Sequence, residues 1–433
     1  MNPIILYRLG CGLALLWLSL VPCAAVDYST TNREALSRFW DAAEAKARPV
    51  TVVSFGDSMA ESYRTATFYL MTKLEGRLGI AGNSLINYGL RLLPQMVGGS
   101  TLLYNTTNWF TAHWLLPPGG GLWWENYFSA GGLYCDQIGL FYVRQPQGGL
   151  ITLSISTNAG TWSPQLVLDG YHPTPIGAYT NIALPRNLYR LRVDGLSGTN
   201  FVIGPQALDT QTNGLHVVFM CQPGLPLYGV TDVPTAIRAP IFAALKPDLL
   251  VWHMKEPIEP LLSDMEECEN WWSNSAPECD VLYIGTPWAV TDTTNTWTTE
   301  QNQIVRGVAV NHRRAYVDLM QPGNSYDWLR TNGLISDGIH LTDAGGQWGA
   351  NIIWNDMNLF ALGLPRQLSL MMTGGLARVA FPTAPGATYT LQSSTNLQDW
   401  LTEMTTPGMG SVIVTNLPAS AAQRSYRLRL TPN

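Results

Sequence analysis

Charge is scarce in this chain. Asp, Glu, Lys and Arg make up 13% of 433 residues, and 31 acidic against 25 basic residues leave a formal net charge of −6, so no basic surface calls for a nucleic-acid partner. Little charge combined with 10% aromatic residues excludes a disordered chain and can build large cores. Beyond the first 25 residues no apolar run is long enough to span a bilayer. Histidine is limited to six positions, His113, His172, His216, His253, His312 and His340, so chemistry that needs an imidazole base has few places to reside.

Cysteine is equally sparse, and its reading depends on the amino terminus. Residues 1–25 have the makeup of a targeting segment: Arg8, an apolar run from Leu13 to Val21 too short to cross a membrane, and the small residues Cys23-Ala24-Ala25 for cleavage. Export to the periplasm, cell surface or medium is the expectation. A lipidated amino terminus at Cys23, three residues after Leu20, is the second reading, with Pro22 a poor fit before it. Export leaves Cys135, Cys221, Cys268 and Cys279 in a disulfide-permissive compartment. Cys268 with Cys279 and Cys135 with Cys221 is the expected pairing, and neither spacing resembles a zinc site.

The length implies more than one domain. A helical pattern from Tyr28 to Lys46 leads into a strand at Val52–Phe55; a helix over Thr65–Leu78 and a short strand at Leu85–Tyr88 follow. From about Gly98 to Pro223 short β-type runs separated by turn residues predict an inserted β-sandwich or jelly roll. Alternation of helix and strand then resumes: helix Pro234–Leu245, strands Asp248–Trp252 and Val281–Gly285, helix Glu300–Val310, strand Ala315–Leu319, and a last helix from Asp343 to about Leu362. That rhythm predicts an α/β fold with a doubly wound, mostly parallel sheet. The expected boundaries are 26–97 with 224–364 for the α/β domain, 98–223 for the insert, and 365–433 for a small all-β domain.

The chain is organised around TVVSFGDSMAES, residues 51–62, where a strand delivers Gly56-Asp57-Ser58 into a turn. Ser58 is placed there at the carboxyl rim of the sheet, before a helix start, where ligands bind in open α/β sheets and helix amides face an oxyanion. A turn serine that caps a helix reads the same way, so Ser58 needs a base. His340 is the one histidine in a comparable place, in Ser336-Asp337-Gly338-Ile339-His340-Leu341-Thr342 before the last helix. Asp337, three residues earlier, can fold back in one turn to hold the imidazole; the alternative is that Asp337 and Thr342 only cap local turns.

Gly56-Asp57-Ser58 after the first strand and Asp337-x-x-His340 before the last helix together resemble the SGNH (GDSL) hydrolases, in particular bacterial carbohydrate and peptidoglycan O-acetylesterases that carry an inserted β-sandwich. The resemblance covers about residues 49–93 and 224–364. It implies a three-layer, flavodoxin-like sheet and a catalytic set of Ser58, His340 and Asp337, with no metal or organic cofactor. It also implies oxyanion amides from Ser58 and a second-block glycine, for which Gly229 matches, with Gly89 as a rival; Asp232 stands where a further glycine is usual. The third-block asparagine is missing. Lys255 occupies its place in His253-Met254-Lys255-Glu256, so either His253 or Lys255 donates instead, the hole is remodelled, or hydrolysis is lost.

The expected function is an exported serine esterase that removes short acyl groups, acetyl foremost, from a carbohydrate or cell-wall glycan. The alternatives are an O-acyltransferase using the same three residues and a carbohydrate-binding protein on a decayed esterase scaffold. Trp109, Trp114, Trp123, Trp124 and Tyr127 of the insert offer flat faces for sugar rings, although for any single tryptophan a place in a sandwich core is the favoured reading.

Overall fold

The computed structural model describes residues 4–10, 34–60, 64–86, 95–103, 113–124, 134–157, 161–221, 231, 233–255, 262–290, 297–357, 359, 362, 364, 368–373, 375–418 and 423–432. These form two compact units, residues 35–353 and residues 1–34 with 354–433.

The first unit is built on six parallel strands: β1 Val50–Gly56, β2 Ile80–Ile86, β3 Leu215–Cys221, β4 Leu249–His253, β5 Asp280–Gly285 and β6 Ala315–Asp318. Their order across the sheet is β2-β3-β1-β4-β5-β6. Every residue of β1, β3, β4 and β5 is buried, which is what near-continuous apolar runs such as VTVVSFG require when helices cover both faces. The helices are α1 Ser37–Ala45, α2 Ala66–Leu78, α3 Thr235–Leu245, α4 Leu262–Ser275, α5 Trp297–Asn311, α6 Tyr326–Thr331 and α7 Asp343–Asp356. Val53 and Phe55 of β1 share one core with Ile241 and Phe242 of α3, Trp271 and Trp272 of α4 and Val305 and Val308 of α5. Phe39 and Trp40 of α1 and Leu70 and Leu74 of α2 are buried outside that core, against the strands' opposite side. Helix α4 has no counterpart among the expected elements, although Met265, Cys268, Trp271 and Trp272 bury at helical spacing.

The middle of the chain departs from expectation. Asn200–Leu208, Tyr134–Arg144 and Ile176–Leu188 extend the parallel sheet beyond β2 as antiparallel strands, so the inserted region is continuous with the α/β sheet. Strand β3, expected inside the insert, lies between β2 and β1 and carries His216 into the parallel core opposite Thr51. The run LHVVFMC is apolar throughout, which fits a sandwich strand and a parallel strand equally; only its pairing tells them apart. A second, antiparallel sheet of Gln95–Val97, Gly121–Trp124, Leu150–Ser156, Ser163–Asp169 and Arg190–Gly195 packs against this extension, with Trp114 edge-on to Trp124 at 5.9 Å. Those two tryptophans are therefore core, while Trp123 is half-buried beside Trp162; Trp109 and Tyr127 lie outside the described residues.

In the second unit, the described residues of 4–10 and from 369 onward form two β-sheets. Ile4–Gly10, Gln423–Pro432, Ala387–Ser394 and Leu401–Pro407 form one sheet, and Ser369–Thr373, Leu376–Pro382 and Val412–Pro418 another, around Val379, Phe381, Tyr389 and Leu428. The first residues of the expected leader thus pair antiparallel with Gln423–Pro432; Leu13–Val21 and Cys23 lie outside the described residues. Among the described residues no helix is long and apolar enough to cross a membrane.

Both expected disulfides are absent, and all four cysteines are buried thiols. Between the strands of Cys135 and Cys221 stand two others, a separation of about 14 Å at the usual strand spacing, twice the reach of a disulfide. Cys268 packs in the α4 core and the Cys279 thiol donates to the Asp280 carbonyl at 3.2 Å. Burial pushes the Cys135 thiol up to about 12 and those of Cys268 and Cys279 higher still, so none is a reactive thiolate. Alkylation in denaturant without reductant, followed by peptide mass spectrometry, is expected to modify Cys135, Cys221, Cys268 and Cys279; unmodified, cross-linked peptides would contradict this arrangement.

Candidate active site

The site forms where β1 leaves the sheet. Gly56 ends the strand at φ +149°, and a Cβ there would lie 2.0 Å from the His253 carbonyl oxygen of β4, so only glycine allows the two strand ends to approach. The next residue, Asp57, is 1% exposed. Its carboxylate accepts the Met59 amide at 2.8 Å and the Lys255 amide at 2.7 Å, which ties the serine turn to the segment after β4. Ser54 adds a third tie by donating to the Ala60 carbonyl at 3.0 Å. Ser58 sits half-buried at the tip of this turn. The helix expected over Thr65–Leu78 is α2, which starts at Ala66, several residues beyond the serine turn, and is capped by Thr65, whose hydroxyl accepts the Phe68 amide at 3.0 Å. The helix terminus therefore serves Thr65, and the Ser58 amide has no hydrogen-bond partner among the described residues.

The second half of the site is a tight loop between α6 and α7. Ser336 donates its amide to the His340 carbonyl at 2.8 Å, and Gly338, at φ +94°, lets the chain turn while its carbonyl accepts the Val290 amide at 2.8 Å. One Asp337 oxygen accepts the amides of Ile339 and His340 at 3.1 and 2.8 Å; the other meets His340 Nδ1 at 2.7 Å. The carboxylate thus shapes the turn and orients the ring at once. Thr342 caps α7, accepting the Gly345 amide at 3.1 Å. Helix α7 reaches α2 through glycines: a Cβ on Gly349 would lie 2.8 Å from Ala66 Cβ.

These two halves meet. His340 Nε2 lies 2.9 Å from Ser58 Oγ, so Ser58, His340 and Asp337 form one hydrogen-bonded chain across 282 residues of sequence. Partial burial alone would raise the Asp337 pKa, but the His340 amide and imidazole and the Ile339 amide outweigh it and hold the carboxyl down at about 2. It is a carboxylate at neutral pH and stabilises an imidazolium. A hydroxyl, a base in reach of its proton and an acid behind the base are the parts needed to make a serine nucleophilic. They open onto a cleft of about 260 Å³ lined by Ser58, Met59, Arg64, Thr65, Ser336, Asp337, His340 and Leu341.

Of the other expected residues, His253 and Lys255 are described, and neither lines the cleft. Strand β3, which leads toward Gly229, is the one beside β1, with Cys221 opposite Gly56; Gly229, Gly89 and Asp232 themselves lie outside the described residues. Lys255 contributes its amide to Asp57, and its ammonium donates to the Pro287 carbonyl at 3.4 Å. His253 is fully buried below the turn. Neither ring nitrogen makes a well-formed hydrogen bond; burial, with Lys255 adding to it, pushes the ring down to about 3 against a small opposing pull from the Met59 backbone. His253 therefore stays neutral and does not line the cleft. Of the remaining histidines, His172 bonds the Thr174 carbonyl at 2.5 Å and His312 meets Glu266 at 2.6 Å. His216 is buried and pushed down to about 4. Arg64, on the cleft wall, carried no signal in the sequence, and the structural role of Asp57 was hidden because a turn aspartate looks alike whether exposed or buried.

No family model matches the chain, and no curated protein matches it. Solved structures similar to it include a lipase/acylhydrolase from Enterococcus faecalis, 18% identical, covering 32% of this chain and 74% of that one at a TM-score of 0.27. A family two carbohydrate esterase from Clostridium thermocellum in complex with cellohexaose is 10% identical over 60% of this chain and 97% of that one, with a TM-score of 0.26. A catalytic mutant of an acetylxylan esterase from Geobacillus stearothermophilus is 17% identical over 34% and 73%, again at 0.26. These are similarities only.

Burial raises the Asp57 carboxyl to about 6, the Met59 and Lys255 amides pulling the other way. A carboxyl raised in the folded state adds stability that is complete below the unfolded value near 3.8 and is lost as pH rises through about 6. Wild type is therefore expected to gain on the order of 2–3 kcal/mol relative to Asp57→Asn as pH falls from 7 to 4, measured by urea unfolding at each pH. A difference independent of pH would contradict the assignment.

Proposed function

We propose that the protein is a serine esterase that removes short acyl groups, acetyl foremost, from carbohydrate. The observation that carries the reading is the chain Asp337–His340–Ser58, with contacts of 2.7 and 2.9 Å, at the wall of an open cleft. Ser58 Oγ attacks the ester carbonyl carbon as His340 Nε2 takes its proton. The carbonyl electrons move to the oxygen, and the Ser58 amide is the described donor to that oxyanion. Asp337 holds the imidazolium, which returns the proton to the leaving hydroxyl oxygen as the carbon–oxygen bond breaks. Water then attacks the acyl-enzyme with His340 again as base, releasing the acid and Ser58.

The cleft supports a short acyl group and a polar leaving group. Met59 and Leu341 are its only apolar lining side chains among the described residues, beside Arg64, Thr65 and Ser336. Water as the acceptor is supported by the exposure of the Asp337 and His340 side chains, 58% and 43%, which leaves the acyl-enzyme open to solvent; an acyltransferase needs it shielded. Export of the protein belongs to this proposal as well, on the composition of residues 1–25.

With p-nitrophenyl acetate, Ser58→Ala and His340→Ala are each expected to lower kcat by about a thousandfold or more, and the double variant no further, because the two side chains act as a unit. Turnover by Ser58→Ala equal to wild type would overturn the nucleophile assignment.

A further inference from the structure

Arg64 lines the same cleft as Ser58 and His340, and the mechanism above gives it no part. Its backbone lies at φ +58°, unfavourable for a residue with a side chain. Helix α7 covers it there: a Cβ on Gly346 would stand 2.6 Å from the Arg64 carbonyl oxygen and 2.8 Å from Tyr69 Cδ2. The Arg64 Nε lies 3.5 Å from Asp343 Oδ1, and the Tyr69 hydroxyl donates to the same oxygen at 3.1 Å. Burial and the Asp343 carboxylate keep that hydroxyl protonated above its usual range, so it remains a donor that holds Asp343 toward Arg64. The Arg64 and Asp343 side chains are 50% and 59% exposed, so their outer edges face solvent and their mutual attraction is weak.

We infer that Arg64 and Asp343 form the sugar-binding rim of the cleft, a donor–acceptor pair that takes neighbouring hydroxyls of a neutral carbohydrate whose ester lies at Ser58. The inference rests on the esterase reading and names its leaving group. A guanidinium only donates and a carboxylate only accepts, whereas a pair of sugar hydroxyls does both and satisfies the two without separating them. A sugar acid fits less well. Among the described residues the cleft and its rim set one cation, Arg64, against two carboxylates, Asp337 and Asp343, so an added carboxylate meets net repulsion.

The test compares kcat/KM for a mono-O-acetylated methyl glucoside, the matching acetylated methyl glucuronoside and p-nitrophenyl acetate. Wild type is expected to favour the glucoside over the glucuronoside by about tenfold. Arg64→Ala is expected to lose about tenfold more on the glucoside than on p-nitrophenyl acetate, chiefly through KM, with Arg64→Lys restoring only part because a point charge lacks the fork. Equal losses on both esters, or a preference for the glucuronoside, would overturn the inference. Should wild type hydrolyse none of the three, the esterase reading fails. The rim is then read by saturation-transfer NMR of methyl glucoside with the full chain: a signal lost in Arg64→Ala upholds it, and a signal absent in wild type or unchanged in the variant removes it.

Discussion

The Asp57 carboxylate accepts one amide from the turn that carries Ser58 and another from Lys255, and so fastens the ends of β1 and β4 together where the hydroxyl leaves the sheet. Both strand ends must come very close for this, and the bare α-carbon of Gly56 against the His253 carbonyl is what permits it. A carboxylate buried this completely is costly, which is why burial moves Asp57 up toward neutrality; two amide donors recover part of that cost. The site thus depends on an acid that never touches the cleft.

Around that tie the same pattern repeats. Polar groups are placed in positions that a purely stable protein avoids, and neighbouring backbone holds them there. Asp337 spends one oxygen on two loop amides so that the other faces His340 in a single orientation. Arg64 keeps a left-handed backbone under Gly346, and His253 remains a buried, neutral imidazole beneath the serine turn. Such local costs gather at functional sites and are balanced by the large core beside β1, where Trp272 packs edge to face with Phe55 at 4.6 Å and with Trp271 at 4.1 Å.

Much of this was legible in the residue order. Strands β1, β4, β5 and β6 and helices α2, α3, α5 and α7 follow from alternating apolar runs and caps, because each is local and buries one continuous stripe. Asp337 and His340 could be paired with Ser58 because both segments end at the same rim of the sheet. What escaped is non-local. The uniform burial of β3 gives no hint that it pairs with β1, and the continuity of the insert with the main sheet resides in hydrogen bonds between distant strands. The Cys135–Cys221 pairing failed for the same reason: the two strands between these residues are invisible in the spacing of the cysteines. Arg64 has no pattern around it, and its place on the cleft wall comes only from the fold.

Among the described residues, neither position weighed for the third-block asparagine that the sequence resemblance implies faces the cleft: His253 is buried beneath the turn and the Lys255 ammonium donates to the Pro287 carbonyl. One fewer donor typically lowers turnover by about a hundred- to a thousandfold, yet leaves the activation of the serine itself intact. A measurement of that activation, separate from turnover, is the most direct test: exposure of the full chain to a fluorophosphonate, with the adduct mapped by mass spectrometry. Modification of Ser58 in wild type that disappears in His340→Ala is the predicted result. A folded protein in which Ser58 is unmodified, or is modified equally without His340, would contradict the central claim.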